Sequence, residues 1–200
     1  MRARPALLGL SLAIVAACTA AEPLPEVPPA PAAAPASSVA TEAKPASACP
    51  GRVEAREELR EIRDDALLKQ AIGAPGEGNL CTGKVFEVVR PMTVYRVWNK
   101  AKAETRIGRW WSLSPLKGLV ADYRAAFAIC PEWSPLDAAV ACRIKVGTRV
   151  VVGPGQSATC AKGSYPASAT NQVFVPNEAS ITDPASPRLL VEGCTDVAWP

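Results

Sequence analysis

The sequence predicts a disulfide-stabilised α+β domain in which a helix precedes a mostly antiparallel, split β-sheet. Three observations carry that expectation. Six of the seven cysteines, at 49, 81, 130, 142, 160 and 194, fall in the part of the chain with folding capacity. Short runs rich in Val, Phe, Tyr and Trp recur from Lys84 onward, punctuated by Pro and Gly. One helix-period segment precedes these runs and another interrupts them, which is not the strict alternation of a doubly wound sheet.

The first 48 residues are read separately. Arg2 and Arg4 precede an apolar stretch from Ala6 to Ala17, too short to span a bilayer comfortably and ending in small residues. The run Val15-Ala16-Ala17-Cys18 has the form of a bacterial lipobox, so residues 1–17 are expected to be a signal peptide and Cys18 an acylated first residue. That assignment accounts for the odd cysteine. Thr19, in place of an aspartate, fits sorting to the outer membrane, and the expected location is the bacterial cell envelope with a lipid membrane as partner. Residues 18–48 are almost wholly Ala, Pro, Glu, Ser and Val, a composition that buries too little apolar surface to fold. They are expected to be a tether that holds residues 49–200, a single domain, away from the membrane.

Within that domain, Ala55, Leu59, Ile62 and Ala66 recur at three- and four-residue spacing and predict a helix over Arg52–Ile72, stopped by Gly73-Ala74-Pro75-Gly76. Lys84–Arg90 and Thr93–Trp98 read as strands parted by Pro91. Ile107–Leu113 is a third, in which Trp110 and Trp111 must face opposite sides. Pro115 opens a helical stretch through Val120, Tyr123, Ala126 and Phe127. Ala141–Val146 and Arg149–Val152 predict a hairpin around Gly147-Thr148, with later strands at Gln172–Val175 and Arg188–Val191. The Cys130/Cys142 spacing suits a local staple. Cys49–Cys81 and Cys160–Cys194 complete the expected set, although six cysteines permit other connectivities.

Composition narrows the chemistry. With no histidine, Ser-His-Asp and Cys-His hydrolysis, His bases and His-ligated metals are excluded. Without a C-x-x-C pair, a metal site is not expected. The net charge of +3 falls towards neutrality once the leader arginines are removed, so no basic field points to nucleic acid. Carboxylates at Glu132, Asp137, Glu178 and Asp183 are available, but no spacing singles out a pair.

The segments that stand out are Tyr95-Arg96, Gly108-Arg109-Trp110-Trp111-Ser112 and Gln172-Val173. Arg96 lies in an otherwise apolar strand, where a guanidinium needs an anion or a partner such as Glu87 or Asp122. The tryptophans offer a flat surface for a nucleobase or nicotinamide ring. In this order the motifs resemble the ADP-ribosyltransferase-like fold, in its NAD-cleaving and polymorphic-toxin branches, over about Lys84–Glu178. The resemblance implies that NAD is the substrate, gripped by Arg96, with Trp111 bordering the nicotinamide and Ser112 in the third catalytic position. Gln172 stands where the transferases carry a catalytic glutamate, and Phe174 breaks the Glu-x-Glu or Gln-x-Glu pattern. That departure implies NAD hydrolysis rather than protein modification. The alternative is a non-catalytic binding module, tethered to the outer membrane and contacting another envelope protein.

Overall fold

The computed structural model describes residues 49–183 and 185–199. The expected signal peptide, Cys18 and the tether lie outside the described residues. Ten strands and two helices follow one another as β1 (Leu59–Ile62), α1 (Asp65–Ala71), β2 (Lys84–Val88), β3 (Met92–Trp98), β4 (Trp110–Ser112), α2 (Val120–Phe127), β5 (Ala138–Ile144), β6 (Arg149–Gly155), β7 (Ala158–Cys160), β8 (Gly163–Tyr165), β9 (Ser168–Phe174) and β10 (Val191–Val197). This is an α+β domain, mostly antiparallel sheet, stabilised by three disulfides.

Eight strands form one sheet in the order β1-β2-β6-β9-β4-β3-β5-β10, and β7 pairs with β8 alone. The order forces the sheet to curl. β2 and β3 are four positions apart, about 19 Å in a flat sheet. The link between them is only Val89-Arg90-Pro91, which reaches at most about 14 Å. The link from β5 to β6, also four positions apart, is similarly short. Both are satisfied only if β1-β2-β6-β9 folds over β4-β3-β5-β10. Phe86, Val94, Trp111, Val140, Val150 and Val173, drawn from both halves, accordingly share one core.

Alternation then assigns the outer face. Val85, Val151 and Phe174 point away from that core and are covered by Leu67 and Ala71 of α1. Val97 and Ala139 point outward on the other half and are covered by Tyr123 of α2. As predicted, the paired tryptophans take opposite sides: Trp111 enters the inner core, and Trp110 packs on Phe174 with ring centroids 5.0 Å apart.

Three expectations are corrected. Arg52–Ile72 is not one helix. Its first half pairs as β1 with β2, and the charges that suited a helix surface become cross-strand pairs, Arg60 with Glu87 and Lys84 with Glu61. Asp64 then starts a shorter helix by accepting from the Leu67 amide at 3.0 Å. Strand pairing outweighs local periodicity here because the edge of β2 is otherwise unpaired.

The hairpin at Gly147-Thr148 is also not formed. The turn exists, but β5 pairs with β3 and β10, and β6 with β2 and β9. The turn is a crossover between the two halves, tied to the end of β2 by Gly147 N–H donating to Val88 O and Val88 N–H to Thr148 O.

Of the disulfides, Cys49–Cys81 is as expected, but the other two are Cys130–Cys160 and Cys142–Cys194. Cys130–Cys142 and Cys160–Cys194 are excluded by the two-sided sheet. Cys142 points into the inner core beside Cys194 on the adjacent β10, whereas Cys130 belongs to a separate cluster with Ala158.

Candidate functional site

The three segments singled out in the sequence lie on adjacent strands. Tyr95 of β3 pairs with Ser112 of β4, and Ser112 with Gln172 of β9, so one register row crosses all three. The β3–β4 ladder is that single pair, whereas β3 and β5 share seven. Beside this narrow joint opens a cavity of about 350 Å³ whose lining includes Arg96, Trp98, Trp111, Tyr123, Trp133 and Gln172.

Arg96 spans the joint. Its Nη1 donates to Trp110 O at 2.9 Å and its Nε to Thr105 O at 3.1 Å. Among the described residues no carboxylate pairs with it: Glu87 is held by Arg60, and Asp122 accepts from the Leu119 amide. Burial pulls the Arg96 pKa below its ordinary value, opposed only by Tyr123. Burial pushes the Tyr123 phenol well above the usual tyrosine range, only partly offset by the Arg96 charge and the nearby Val97 amide. A guanidinium partly withdrawn from water without a counter-charge is costly, and an anion in the cavity would relieve that cost.

The other walls are aromatic and amide. Trp98 is buried, and its Nε1–H has no acceptor, the only such orphaned side-chain atom among the described residues. Trp133 is 52% exposed and packs on Gly78. Gln172 is buried, with Nε2 at 3.5 Å from Phe127 O, a marginal bond that leaves the amide largely uncommitted. Gly155 lies so close to this amide that a Cβ there would come within 2.6 Å of Nε2.

Backbone strain collects at the same place. Asn79, Ala128 and Leu136 are the described non-glycine residues with positive φ, at 65°, 49° and 58°. All three line the cavity. Asparagine adopts this conformation readily, but for Ala128 and Leu136 it costs about 1–2 kcal/mol each, and such outliers concentrate where a fold is shaped around a site.

Ser112 is placed elsewhere. Its hydroxyl donates to Ser114 O at 2.9 Å and accepts from Ser114 N–H at 3.2 Å. It borders a neighbouring cavity of about 370 Å³, from which the Arg96 cavity is divided by Tyr123 and Phe127, residues that line both. These two rings stack at 4.3 Å. Arg96, Trp111 and Gln172 therefore share one cavity and Ser112 faces another.

Sequence reasoning did not single out Glu77, Asn79, Lys102 or Trp133, which also line the Arg96 cavity. The signal for the first two was present in Gly73-Ala74-Pro75-Gly76-Glu77-Gly78-Asn79, whose glycine density exceeds what stopping a helix requires. Glu132, Asp137 and Asp183 hold the loop amides of Ala161, Lys100 and Ala185, and Glu178 pairs with Arg188. Cys130, Glu132 and Cys160 present ligand atoms within 4.8 Å of one another, but the two sulfurs are joined to each other and offer no thiolate.

No protein-family model, curated protein or solved structure matches the chain. The site combines a guanidinium without a carboxylate partner, a second cation at Lys102, one carboxylate at Glu77, an uncommitted amide and several indole rings. Such a set suits a ligand that carries both an anionic group and a flat heterocycle.

Proposed function

We propose that the domain is of the ADP-ribosyltransferase-like type and binds NAD in the Arg96 cavity, where it hydrolyses the bond between ribose and nicotinamide. The observation that carries this reading is Arg96 lining the cavity without a carboxylate partner, next to Gln172 and Trp111. Arg96 grips the diphosphate, with Lys102 as second cation. Trp111 borders the nicotinamide, and the Gln172 amide bonds the ribose hydroxyls. The activity resides on an exported chain held at the outer membrane through acylated Cys18. Ser112 acts at most on the shape of the β3–β4–β9 joint, because its hydroxyl is taken up by Ser114.

The test is nicotinamide release from NAD by the oxidised protein, with Arg96→Ala beside it and circular dichroism to show that the variant is folded. Release that disappears in a folded Arg96→Ala protein supports the reading. Undiminished release in that variant refutes it.

Gln172 favours one second reading. An amide holds a ribose but carries no charge to stabilise the cationic transition state, so the same cavity would serve a binding module that retains NAD or ADP-ribose uncleaved. Saturable ADP-ribose binding without nicotinamide release would select it.

A further inference from the structure

We infer that Glu77 is the carboxylate that serves the reacting ribose, replacing the charge that Gln172 cannot supply. The inference rests on the NAD reading above. Glu77 is the one carboxylate among the described residues lining the Arg96 cavity, where the other charged groups are Arg96 and Lys102. NAD needs that combination of signs. Its diphosphate is anionic and matches the two cations, while its nicotinamide ring is cationic and the ribose becomes cationic as the bond breaks.

The loop that bears Glu77 is built to hold it still. Gly76 and Gly78 have φ of 92° and 73°, and Asn79 follows at 65°, so the backbone winds through left-handed conformations on both sides of Glu77. Gly76 N–H donates to Ser157 Oγ, Gly78 N–H to Ser157 O, and Thr159 N–H to Gly76 O, at 2.9, 2.8 and 2.8 Å. Leu80 bridges to Gly155, the residue packed on the Gln172 amide. The Cys49–Cys81 disulfide closes the base of the loop. Trp133 covers Gly78 from the cavity side, where a Cβ would meet its ring at 3.3 Å. Within the side chain, Glu77 Oε2 accepts from the Ala74 amide at 3.0 Å, and Oε1 has no partner among the described residues.

The step balances as a hydrolysis. The bond between ribose C1′ and the nicotinamide nitrogen breaks, and its electron pair neutralises the pyridinium. A water oxygen bonds to C1′ as the Glu77 carboxylate takes its proton, which then passes to solvent. The products are ADP-ribose, nicotinamide and a proton. No oxidant or metal is required.

The test is steady-state NAD hydrolysis by oxidised full-length protein and its Glu77→Gln variant, with ADP-ribose binding followed by tryptophan fluorescence. Glutamine is the informative replacement because its carbonyl still accepts from Ala74, so the loop keeps its shape. The expected result is a kcat lowered about 100-fold, the scale of general base catalysis, with ADP-ribose affinity within about twofold of wild type. Glu77→Asp recovers part of the loss. A Glu77→Gln kcat within about threefold of wild type overturns the assignment and leaves the NAD reading standing. Wild-type protein that binds ADP-ribose but releases no nicotinamide also overturns it, in favour of the binding module. Wild-type protein that does neither overturns the assignment and the NAD reading together.

Discussion

Gly108→Ala displaces the Arg96 guanidinium without touching its charge. A Cβ at position 108 would lie 2.5 Å from Arg96 Nη2, 2.8 Å from Nη1 and closer still to Cζ. The atoms it meets are the end of a flexible side chain, so Arg96 yields and the backbone stays. The carbonyl of Gly108, which accepts from Trp111 Nε1 and Asn177 Nδ2, is unchanged. What is lost are the bonds from Arg96 to Thr105 O and Trp110 O. At about 1.5 kcal/mol each, the lower end for charged donors, they sum to about 3 kcal/mol. Rehydration of the displaced group and the smaller unfolded-state entropy of alanine return about 1 kcal/mol. A net loss of about 2 kcal/mol corresponds to a melting temperature about 4–8 °C lower for a domain of this size. ADP-ribose affinity falls with it. The assay is a double-mutant cycle of thermal melts and ADP-ribose titrations with Arg96→Leu, in which Gly108→Ala should cost almost nothing because no guanidinium remains to be moved. Equal costs in the two backgrounds would refute the reasoning.

Ser112→Ala should leave NAD turnover within about twofold, since its hydroxyl serves Ser114; a loss of about 100-fold would return Ser112 to the site. Non-reducing peptide mapping should recover Cys130–Cys160 and Cys142–Cys194, and replacing the latter pair by alanines should cost about 4 kcal/mol from loop entropy. A Cys130–Cys142 peptide would contradict the topology. Tyr123 should ionise only as the protein unfolds, because its folded-state pKa is raised. Its contribution to stability is complete below the ordinary tyrosine pKa of about 10 and is lost as pH rises above that value. A tyrosinate absorbance titration should show a late step that is absent in Tyr123→Phe, and coincidence of that step with the loss of circular dichroism is the check.

Much of the sheet was legible because its strands are locally self-consistent. Val85, Phe86 and Val88, or Val94 and Val97, declare strands whatever they pair with. The partners were not legible. Nothing in Ala141–Val152 tells a hairpin from a crossover, since the turn residues are the same and the outcome depends on which edges the other strands leave open. Arg52–Ile72 misled for a related reason: spacings of three and four residues suit a helix, yet Glu61 and Arg60 find opposite charges on β2. Arg96, Trp111 and Gln172, singled out along the sequence, line one cavity. Ser112 was assigned with them through the Trp-Trp-Ser motif, but its hydroxyl is taken up by Ser114 and it borders the neighbouring cavity. Glu77 and Trp133 were missed because they reach the cavity from loops, where no periodicity marks them.

The sheet cannot close until β9 is in place. β9 joins the two halves, pairing with β6 on one side and β4 on the other, yet it is the last strand but one to be synthesised. Until residue 174 is available to pair, β6 and β4 each present an open edge, the kind of surface that invites intermolecular pairing. Cys130 and Cys142 meanwhile wait for partners 30 and 52 residues downstream and are close enough in sequence to cross-link wrongly. Productive maturation of this protein therefore depends on a delay between emergence and oxidation, or on an activity that reshuffles disulfides after the C-terminus arrives.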